Sequence, residues 1–374
     1  PKCAVCGESI GFKNATHLYI AISKLQSELE ILVENHPEWR KNAIAFTNRY
    51  INEGLRDRAL TRDLDWGISV PKEGYENKTI YIWAENVLGY LSASRVAVEE
   101  NTNAFSELWG EDAKHYYVHG KDNIPFHTII LPALLLGNGG AWHLPDQIVS
   151  SEYLTLEGRK ISTSQNYAIW VKDLVGNYEA DSIRYYFIAN GPEKKDADFS
   201  WREYVHSHNG ELLGAYGNFV NRTLAFIEKY CYGIVPQGIN TVELDNQIES
   251  LYIAVGKLIE SGYFKDAINE IFDFVRSANK FFDTEQPWIT RNTNRIACDN
   301  TLYQCVQIIA NLAVLLSPFL PFSSEKVLKW LNISNKWEKQ HVASGYLLPE
   351  VAILFQRIDK KVIEVETEKL KAIL

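Results

Sequence analysis

The sequence predicts an α/β fold in the middle of the chain and an all-α fold in its last part. Between about residues 79 and 165, short apolar runs alternate with helical periods, which is typical of a parallel sheet covered by helices. From about residue 205 onward, apolar residues recur every three or four positions, which predicts amphipathic helices packed against one another. With 374 residues, the chain is long enough for two or three domains.

Composition excludes several classes of protein. Of all residues, 46% are hydrophobic and 23% are charged, as in ordinary globular proteins, and no apolar run reaches the roughly 18 residues of a membrane span. The net charge of -9 argues against indiscriminate nucleic-acid binding, but it leaves room for a shape-specific RNA partner. Five cysteines and a start without signal-peptide character predict a reducing, cytoplasmic setting.

The chain begins with the motif Cys3-x-x-Cys6. Two thiolates on a tight turn supply one edge of a tetrahedral zinc site, so we interpret the motif as half of a zinc knuckle. The other two ligands are not visible nearby, and a reduced cysteine pair is the alternative. Cys231, Cys298 and Cys305 lie far away in helical contexts and are expected to be small core residues.

Two helices and a charged loop are predicted before the α/β part. The motif Ser23-x-x-Gln26 resembles a capping box, which predicts a helix over the leucine stripe that follows. A second helix is expected to begin near Pro37 and to end at Gly54. The next segment, residues 54–67, carries dense charges without a helical or strand period. It is interpreted as a solvated loop, or as a loop that lines a site through Trp66.

Three strands and two helices are predicted in the α/β part. The strands are expected at Thr79 to Trp83, His115 to His119 and Gln147 to Ser150, and the helices from Glu85 to about Glu99 and from about Asn123 to Leu136. Because the carboxyl ends of parallel strands share one edge of a sheet, the groups that follow them are expected around one crevice. These groups are Glu85, Tyr90, Gly120, Asp122, His127 and Lys160.

The segment from Glu157 to Ser164 has the sequence EGRKISTS. A tight turn at Gly158 presents Lys160 together with the hydroxyls of Ser162 and Ser164, which suits a phosphate-rich ligand. Because the third predicted strand ends just before it, the segment is expected at the carboxyl edge of the sheet, where open α/β sheets bind ligands. Taken alone, such a loop is also compatible with an ordinary solvated turn.

The first helix of the all-α part carries a polar face. Asn218 and Arg222 are four residues apart and therefore share that face. Trp288 follows Pro287, where a helix has just ended, so its indole is expected at an exposed corner from which it can stack on a base. Polar neighbours of this kind also occur on the solvated side of a helix, and that alternative stays open.

Five motifs, in this order and spacing, resemble those of methionyl-tRNA synthetases, which are class I aminoacyl-tRNA synthetases. They are the segment from Leu60 to Gly67, Tyr81-Ile82-Trp83 with Gly89-Tyr90, His119-Gly120-Lys121-Asp122 with Phe126-His127, the KMSKS-like Lys160-Ile161-Ser162-Thr163-Ser164, and the segment from Gly217 to Arg222 with Pro287-Trp288. The resemblance implies the carboxyl-terminal part of a Rossmann-type, parallel-sheet catalytic domain, followed by an α-helix bundle that binds the anticodon.

The resemblance implies activation of methionine with ATP and Mg²⁺, and transfer of methionine to tRNA(Met). It also implies the site residues. The methionine pocket would be formed by Trp83, Tyr90 and His127. ATP would be held by Gly120, Asp122 and Lys160. The catalytic loop would comprise Lys160, Ser162 and Ser164. The anticodon would be bound by Asn218, Arg222 and Trp288. Zn²⁺ in the complete enzyme would be held in part by Cys3 and Cys6.

The sequence departs from the family pattern at three places. Thr163 stands where the family usually has a second lysine, and Glu85-Asn86-Val87 stands where it commonly has Asp-Ala-Pro. No His-x-Gly-His motif occurs in the 374 residues. The resemblance therefore implies that this ATP-binding motif and the first half of the zinc insertion lie upstream of Pro1. On this reading the isolated chain should show little methionine-dependent ATP–pyrophosphate exchange.

By the same resemblance the chain divides into four regions. They are the remainder of a connective insertion at 1–77, the carboxyl-terminal half of the catalytic domain at 78–165, a stem-contact region at 166–204 and the helical anticodon-binding domain at 205–374. Two alternatives stay open: a non-catalytic tRNA-binding module, and a class I synthetase for another apolar amino acid. The intact Lys160, Asp122 and His127 disfavour the first, and the Pro287-Trp288 corner disfavours the second.

Overall fold

The structure, a computed structural model, describes residues 2–3, 7–11, 14–99, 101–139 and 142–372, with the backbone alone at 83 and 84. The chain forms two compact units, residues 1–151 and 152–374. Each unit has its own hydrophobic core. The division after Ser151 falls within the region predicted at 78–165, and the four predicted regions stay a prediction.

In the first unit the strands are short and the helices supply most of the core. The strands are β1 (Tyr19–Ile20), β2 (Arg58–Ala59), β3 (Thr61–Arg62), β4 (Thr79–Ile80), β5 (Tyr116–Gly120) and β6 (Gln147–Ser151). The α-helices are α1 (Gln26–Glu34), α2 (Lys41–Asn52), α3 (Ile82–Glu85), α4 (Gly89–Ala97), α5 (Thr102–Trp109) and α6 (Leu131–Gly137). Short 3-10 segments occur at Ile22–Leu25, Asn86–Leu88 and Lys121–Asn123, and a π-helical segment occurs at Phe126–Ile130.

Strands β5 and β6 form the parallel pair that positions the candidate site. Tyr116 lies opposite Gln147, and Gly120 lies opposite Ser151. The first four residues of β6 are buried, which is typical of a parallel strand covered by helices. The connection between the two strands is largely helical, as parallel pairing requires. Gly120, the 3-10 turn and the π-helical segment therefore follow the carboxyl end of β5.

The first of the three predicted strands is wrong in length and in pairing. Only Thr79–Ile80 is extended, and it pairs antiparallel with Thr61–Arg62 in a separate two-stranded sheet. The chain turns into helix α3 at Ile82, so Trp83 lies in a helix. A short apolar run does not distinguish a strand from a buried helical turn, which explains the error.

The two helices predicted before the α/β part are present, with corrections at Ser23 and at Pro37. Leu29 and Leu32 are buried, as the apolar stripe predicts. Ser23 does not cap helix α1, because its hydroxyl donates to Asp57 Oδ1 at 2.7 Å. Helix α2 begins at Lys41, so Pro37 lies in the turn before it and not in its first turn. Gly54 follows the helix with a φ of 80°, a conformation that favours glycine.

The second unit begins with a small sheet of three strands. They are β7 (Leu154–Leu156), β8 (Arg159–Lys160) and β9 (Ala197–Phe199), in the spatial order β8-β7-β9. Strands β7 and β8 form an antiparallel hairpin whose turn residues Glu157 and Gly158 both have positive φ, 48° and 75°. The predicted glycine turn is therefore present. It belongs to this hairpin and does not follow directly from β6, because β7 intervenes.

Helices make up the rest of the second unit. They are α7 (Val171–Asn177), α8 (Ala180–Asn190), α9 (Trp201–Ser207), a π-helical segment (His208–Gly217), α10 (Asn218–Tyr230), α11 (Val242–Glu260), α12 (Phe264–Glu285), α13 (Pro287–Thr293), α14 (Arg295–Leu316), α15 (Pro321–Leu331) and α16 (Lys361–Lys371). Helix α14 is buried over most of its length and lies at the centre of the larger core. The predicted helix bundle is confirmed. In the described part of the chain, no helix combines the length and apolar character of a membrane span.

Candidate functional site

A small cavity in the first unit brings together two of the three side chains predicted to bind an amino acid. The cavity has a volume of about 290 Å³. Its lining comprises Asn86, Val87, Gly89, Tyr90, Asn123, Phe126 and His127. Tyr90 comes from helix α4 and His127 from the π-helical segment after β5. For Trp83, the structure describes a backbone position in α3, and its predicted contribution to the pocket stays a prediction.

A hydrogen-bonded chain fixes the protonation of the histidine in this cavity. His127 Nδ1 lies 2.9 Å from the carbonyl oxygen of Asn123, and Nε2 lies 2.8 Å from the Tyr90 hydroxyl. A carbonyl only accepts, so Nδ1 carries the proton; in the neutral ring Nε2 then accepts from the tyrosine O–H. Burial lowers the pKa of His127 and outweighs the hydrogen bond to Asn123, which acts to raise it. The ring is therefore neutral at pH 7.

A second histidine stacks on the first. The rings of His119 and His127 are nearly parallel, at 15°, with centroids 4.3 Å apart. Burial lowers the pKa of His119 to about 4, and His127 beside it adds to the lowering. Two imidazolium rings at this distance would repel each other, so the stack disfavours the state in which both rings are protonated. Sequence reasoning missed His119 as a neighbour of the pocket, although it immediately precedes Gly120 in the quoted motif.

Two of the residues predicted to hold ATP lie at the carboxyl end of β5. Gly120 is the last residue of the strand, and Asp122 lies in the 3-10 turn that follows. A Cβ built on Gly120 would meet no heavy atom within 4 Å. Its φ of -78° and ψ of 159° are open to any residue. The protein itself therefore does not require glycine here, and a close ligand is the remaining physical reason for one.

A second, larger cavity in the first unit has a volume of about 650 Å³ and includes two side chains that sequence reasoning did not assign. Arg62 and Tyr81 both line it, and the guanidinium carbon lies 3.8 Å from the ring centroid. The dense charges of residues 54–67 were the sequence signal that could have identified Arg62. Trp66 is 83% exposed and is not among the lining residues, so for this residue the solvated-loop interpretation holds.

The predicted phosphate-binding loop lies on the hairpin of the second unit. Lys160 is exposed in β8, and the hydroxyls of Ser162 and Ser164 lie 3.2 Å apart. Tyr167 closes the loop, because its backbone exchanges two hydrogen bonds with that of Ser162. The Tyr167 hydroxyl donates to the Leu156 carbonyl at 2.9 Å. The hairpin therefore presents one lysine and two hydroxyls on an anchored loop.

The residues predicted to bind RNA bases lie on two helices of the second unit, α10 and α13. Asn218 is exposed at the start of α10, and Arg222 follows one turn later. Arg222 donates to Asp283 at 2.6 Å, and its guanidinium carbon lies 3.9 Å from the centroid of the Phe282 ring. Trp288 is 43% exposed, and its ring centroid lies 6.1 Å from that of Phe282. Phe282 thus joins Arg222 and Trp288 into one face.

The corner that presents Trp288 has a defined backbone cause. Helix α12 ends at Glu285, and Gln286 adopts the left-handed conformation with a φ of 45°. Pro287 then begins helix α13, at a position where the missing N–H has no helical partner to lose. The exposed corner predicted for Trp288 is therefore present.

The predicted zinc-type motif is only partly described. Cys3 is half-buried, and Cys6 lies outside the described residues. Among the residues that the structure does describe, no group of three or more His, Cys, Asp and Glu side chains is arranged to hold a metal ion. The described residues therefore do not form a metal site by themselves.

Comparison with known families agrees with the geometry of both units. The family model described as tRNA synthetases class I (M) matches residues 1–224. The model described as the anticodon-binding domain of tRNA ligase matches residues 243–373. The fold and the site thus define a class I tRNA synthetase with a helical anticodon-binding domain.

Individual relatives narrow the class further. The chain is 53% identical over 374 residues to the methionine–tRNA ligase of Bacillus cereus (strain Q1), covering 99% of this chain and 68% of the relative. It is 50% identical over 371 residues to methionine–tRNA ligase 1 of Alkaliphilus oremlandii, covering 99% of this chain and 68% of the relative. The chain belongs to the methionyl-tRNA synthetase family, as its motifs predicted.

A solved structure supports the fold. It is the methionyl-tRNA synthetase of Mycobacterium tuberculosis in complex with methionyl-adenylate, with a TM-score of 0.84. The match covers 95% of this chain and 72% of the solved one, at 23% identity. The predicted fold class, a parallel-sheet catalytic part followed by a helical anticodon-binding domain, is confirmed.

Proposed function

We propose that this chain supplies the methionine pocket, part of the ATP site and the anticodon-binding face of an enzyme that joins methionine to tRNA(Met). The observation that carries the proposal is the cavity beside the Tyr90–His127 pair, in a chain that belongs to the methionyl-tRNA synthetase family. Both alternatives lose support. The named relatives are ligases rather than binding modules, and they are specific for methionine rather than another apolar amino acid.

The pocket chemistry suits a thioether. The Tyr90 O–H and the His127 Nδ1–H are both donated within the protein, so neither is left unsatisfied beside an apolar ligand. Val87 and Phe126 add apolar surface to the lining. Polarisable sulfur makes favourable contacts with aromatic rings. We assign the methionine side chain to this cavity, with Trp83 as a third wall.

Each unit carries residues that suit a part of ATP. Gly120 leaves open space for the backbone to approach ATP, and the Asp122 carboxylate can accept hydrogen bonds from ribose hydroxyls. Lys160 is exposed and cationic, and it would bind the phosphates together with the hydroxyls of Ser162 and Ser164. Mg²⁺ would accompany ATP as part of the substrate.

The reaction needs no covalent bond to the enzyme. A carboxylate oxygen of methionine attacks the α-phosphorus of ATP, a new P–O bond forms, and the bond from the α-phosphorus to the bridging oxygen breaks. Pyrophosphate leaves with the electron pair, so negative charge accumulates on its oxygens. Lys160 would stabilise this charge by its position and cationic head. Because Thr163 replaces the usual second lysine, this role would rest mainly on Lys160.

The RNA would be bound on the face formed by Asn218, Arg222 and Trp288. The Asn218 amide is free to donate to and accept from base edges, and the exposed Trp288 ring can stack on an unpaired base. Arg222 is oriented by Asp283 and Phe282, so little conformational entropy is lost when it binds. This arrangement suits the single-stranded bases of an anticodon loop.

Zinc binding by the complete enzyme and a cytoplasmic setting are also parts of this proposal. Zinc rests on the spacing of Cys3 and Cys6. The cytoplasmic setting is consistent with Cys231, Cys298 and Cys305, which are buried thiols outside any disulfide.

The proposal is tested by amino-acid binding to the chain. We expect saturable binding of methionine in isothermal titration, with isoleucine at least tenfold weaker because a branched side chain does not fit a narrow aromatic pocket. His127→Ala should weaken methionine binding, whereas Tyr116→Phe, a change at an exposed ring on β5, should leave it unchanged. Equal binding of methionine and isoleucine would show that the cavity is not a methionine pocket.

A further inference from the structure

A second cation–aromatic pair lies beside the proposed anticodon-binding residues. The guanidinium carbon of Arg291 lies 4.0 Å from the centroid of the Tyr230 ring. Tyr230 is the last residue of helix α10, and Arg291 lies in helix α13. The ammonium of Lys229 lies 5.2 Å from the same centroid. Two cations thus surround one partly exposed tyrosine ring.

The pair is connected to the Trp288 corner. Arg291 Nε donates to the carbonyl oxygen of Trp288 at 3.3 Å, and the two residues are three apart on the same short helix, so they share a face. On helix α10, the Phe226 ring lies 4.6 Å from the Tyr230 ring and 6.4 Å from the Phe282 ring, which itself contacts Arg222 and Trp288. The face defined by Asn218, Arg222 and Trp288 therefore continues onto Tyr230 and Arg291.

The two cations beside Tyr230 differ from the nearby Arg222 and Arg295 in their ion pairing. Arg222 is ion-paired with Asp283 at 2.6 Å, and Arg295 is ion-paired with Asp299 at 2.7 Å. Over the described part of the chain, no carboxylate lies within ion-pair distance of Arg291 or Lys229. Hydrogen bonding from Lys229 and the charges of both cations lower the pKa of Tyr230. In a protein with a net charge of -9, this is a locally uncompensated positive site, as binding to a phosphate backbone requires.

We propose that Tyr230 and Arg291 form a second stacking platform, which takes an unpaired base of the same RNA loop whose first base stacks on Trp288. This inference rests on the proposed function and extends it beyond Asn218, Arg222 and Trp288. Aromatic and guanidinium planes stack on every base alike, because every base has a π-face. The platform therefore adds affinity for the loop without reading its sequence, and Lys229 adds a contact to the adjoining phosphates.

The test is fluorescence anisotropy of the 374-residue chain with two labelled RNA stem-loops, one with the methionine anticodon and one with a changed anticodon. Tyr230→Leu and Arg291→Ala should each weaken binding of both RNAs about tenfold and by the same factor. Tyr230→Phe keeps the ring and should bind as the unchanged protein does. Arg291→Lys keeps the charge but loses the plane, and it should fall between the unchanged protein and Arg291→Ala.

The matched control for charge is Arg276→Ala. The Arg276 side chain contacts Glu211 and Asp273, so its loss should change binding by less than about twofold. Unchanged affinity in both Tyr230→Leu and Arg291→Ala would overturn the platform. A different factor for the two RNAs would also overturn it, because it would mean that the pair reads base identity. If the unchanged protein binds the two RNAs equally, the proposed function fails. The platform is still tested in that case, because the affinities of Tyr230→Leu and Arg291→Ala are compared with that of the unchanged protein.

Discussion

Replacing Tyr90 by phenylalanine tests the hydrogen-bonded pair on which the methionine pocket depends. The change removes one oxygen and keeps the ring, so the ring contacts with Tyr117 and His127 remain available. It takes away the donor to His127 Nε2 at 2.8 Å. His127 is 5% exposed, and its other nitrogen is already bonded to Asn123. The variant therefore leaves a buried acceptor without its partner.

The expected cost follows from this geometry. An unsatisfied buried polar atom costs about 1 to 3 kcal/mol, and the lost bond also releases the His127 ring from one of its two anchors. The free energy of unfolding of the first unit should fall by about that amount. Methionine affinity should fall roughly 5- to 100-fold if the same anchor holds the ring in the bound state.

Two measurements separate the effects. Urea denaturation gives the free energy of unfolding, and isothermal titration gives the dissociation constant for methionine. Tyr116→Phe, which changes an exposed tyrosine on β5, is the matched control and should alter neither quantity. If Tyr90→Phe leaves both stability and methionine affinity unchanged, the hydrogen bond is not the anchor of the pocket and the reasoning is refuted.

Three further variants test the remaining parts of the site. The pKa of His119 is about 4 in the folded protein against about 6.5 in an unfolded chain. The unfolded state therefore takes the proton first, and stability should fall between pH 6.5 and 4 by at most about 3 kcal/mol, less for a partly exposed ring. His119→Phe should remove this loss in urea titrations across pH, and an unchanged pH profile would contradict the assignment. Gly120→Ala should leave stability within about 0.5 kcal/mol, because its Cβ meets nothing, yet weaken ATP binding; normal ATP binding would mean that no ligand approaches this backbone. Lys160→Ala should weaken ATP binding about 10- to 100-fold, and an equal effect from the exposed Lys172→Ala would show that only net charge matters.

The parts of the fold that depend on residues close together in the sequence could be predicted from the sequence. The buried leucines of helix α1 repeat at helical spacing, and the glycine turn at Gly158 has the positive φ that favours glycine. The end of helix α12 before Pro287 follows from the geometry of proline. These features rest on periodicity and on backbone restrictions that each residue carries with it.

The parts that depend on distant contacts could not be predicted. Ser23 bonds to Asp57 instead of capping its own helix, and the strand at Thr79 pairs with Thr61 instead of joining the parallel sheet. Arg222 was predicted to bind RNA from its place on a polar helical face, but its ion-pair partner Asp283, which lies 61 residues away, was not predicted. Local patterns do not specify such partners, because several pairings satisfy the same pattern and only tertiary packing selects one of them.

The roles of the site residues were predicted mainly from motifs, with one omission that the fold explains. Tyr90 and His127 are 37 residues apart; the order of strands and helices placed both near one crevice, and the resemblance assigned both to the methionine pocket. The stack of His119 on His127 was not predicted, because a histidine at the end of a strand gives no signal of which ring it will face. The two rings come into contact only when the turn after β5 has formed.

On the proposed function, this chain carries both a methionine pocket and a face that reads the methionine anticodon. The most direct test is the ratio of affinities for RNA stem-loops with the methionine anticodon and with a changed anticodon, compared between the unchanged chain and Trp288→Ala. We expect at least a tenfold preference for the methionine anticodon, and a large part of it should be lost in Trp288→Ala. Equal binding of both stem-loops by the unchanged chain would contradict the account.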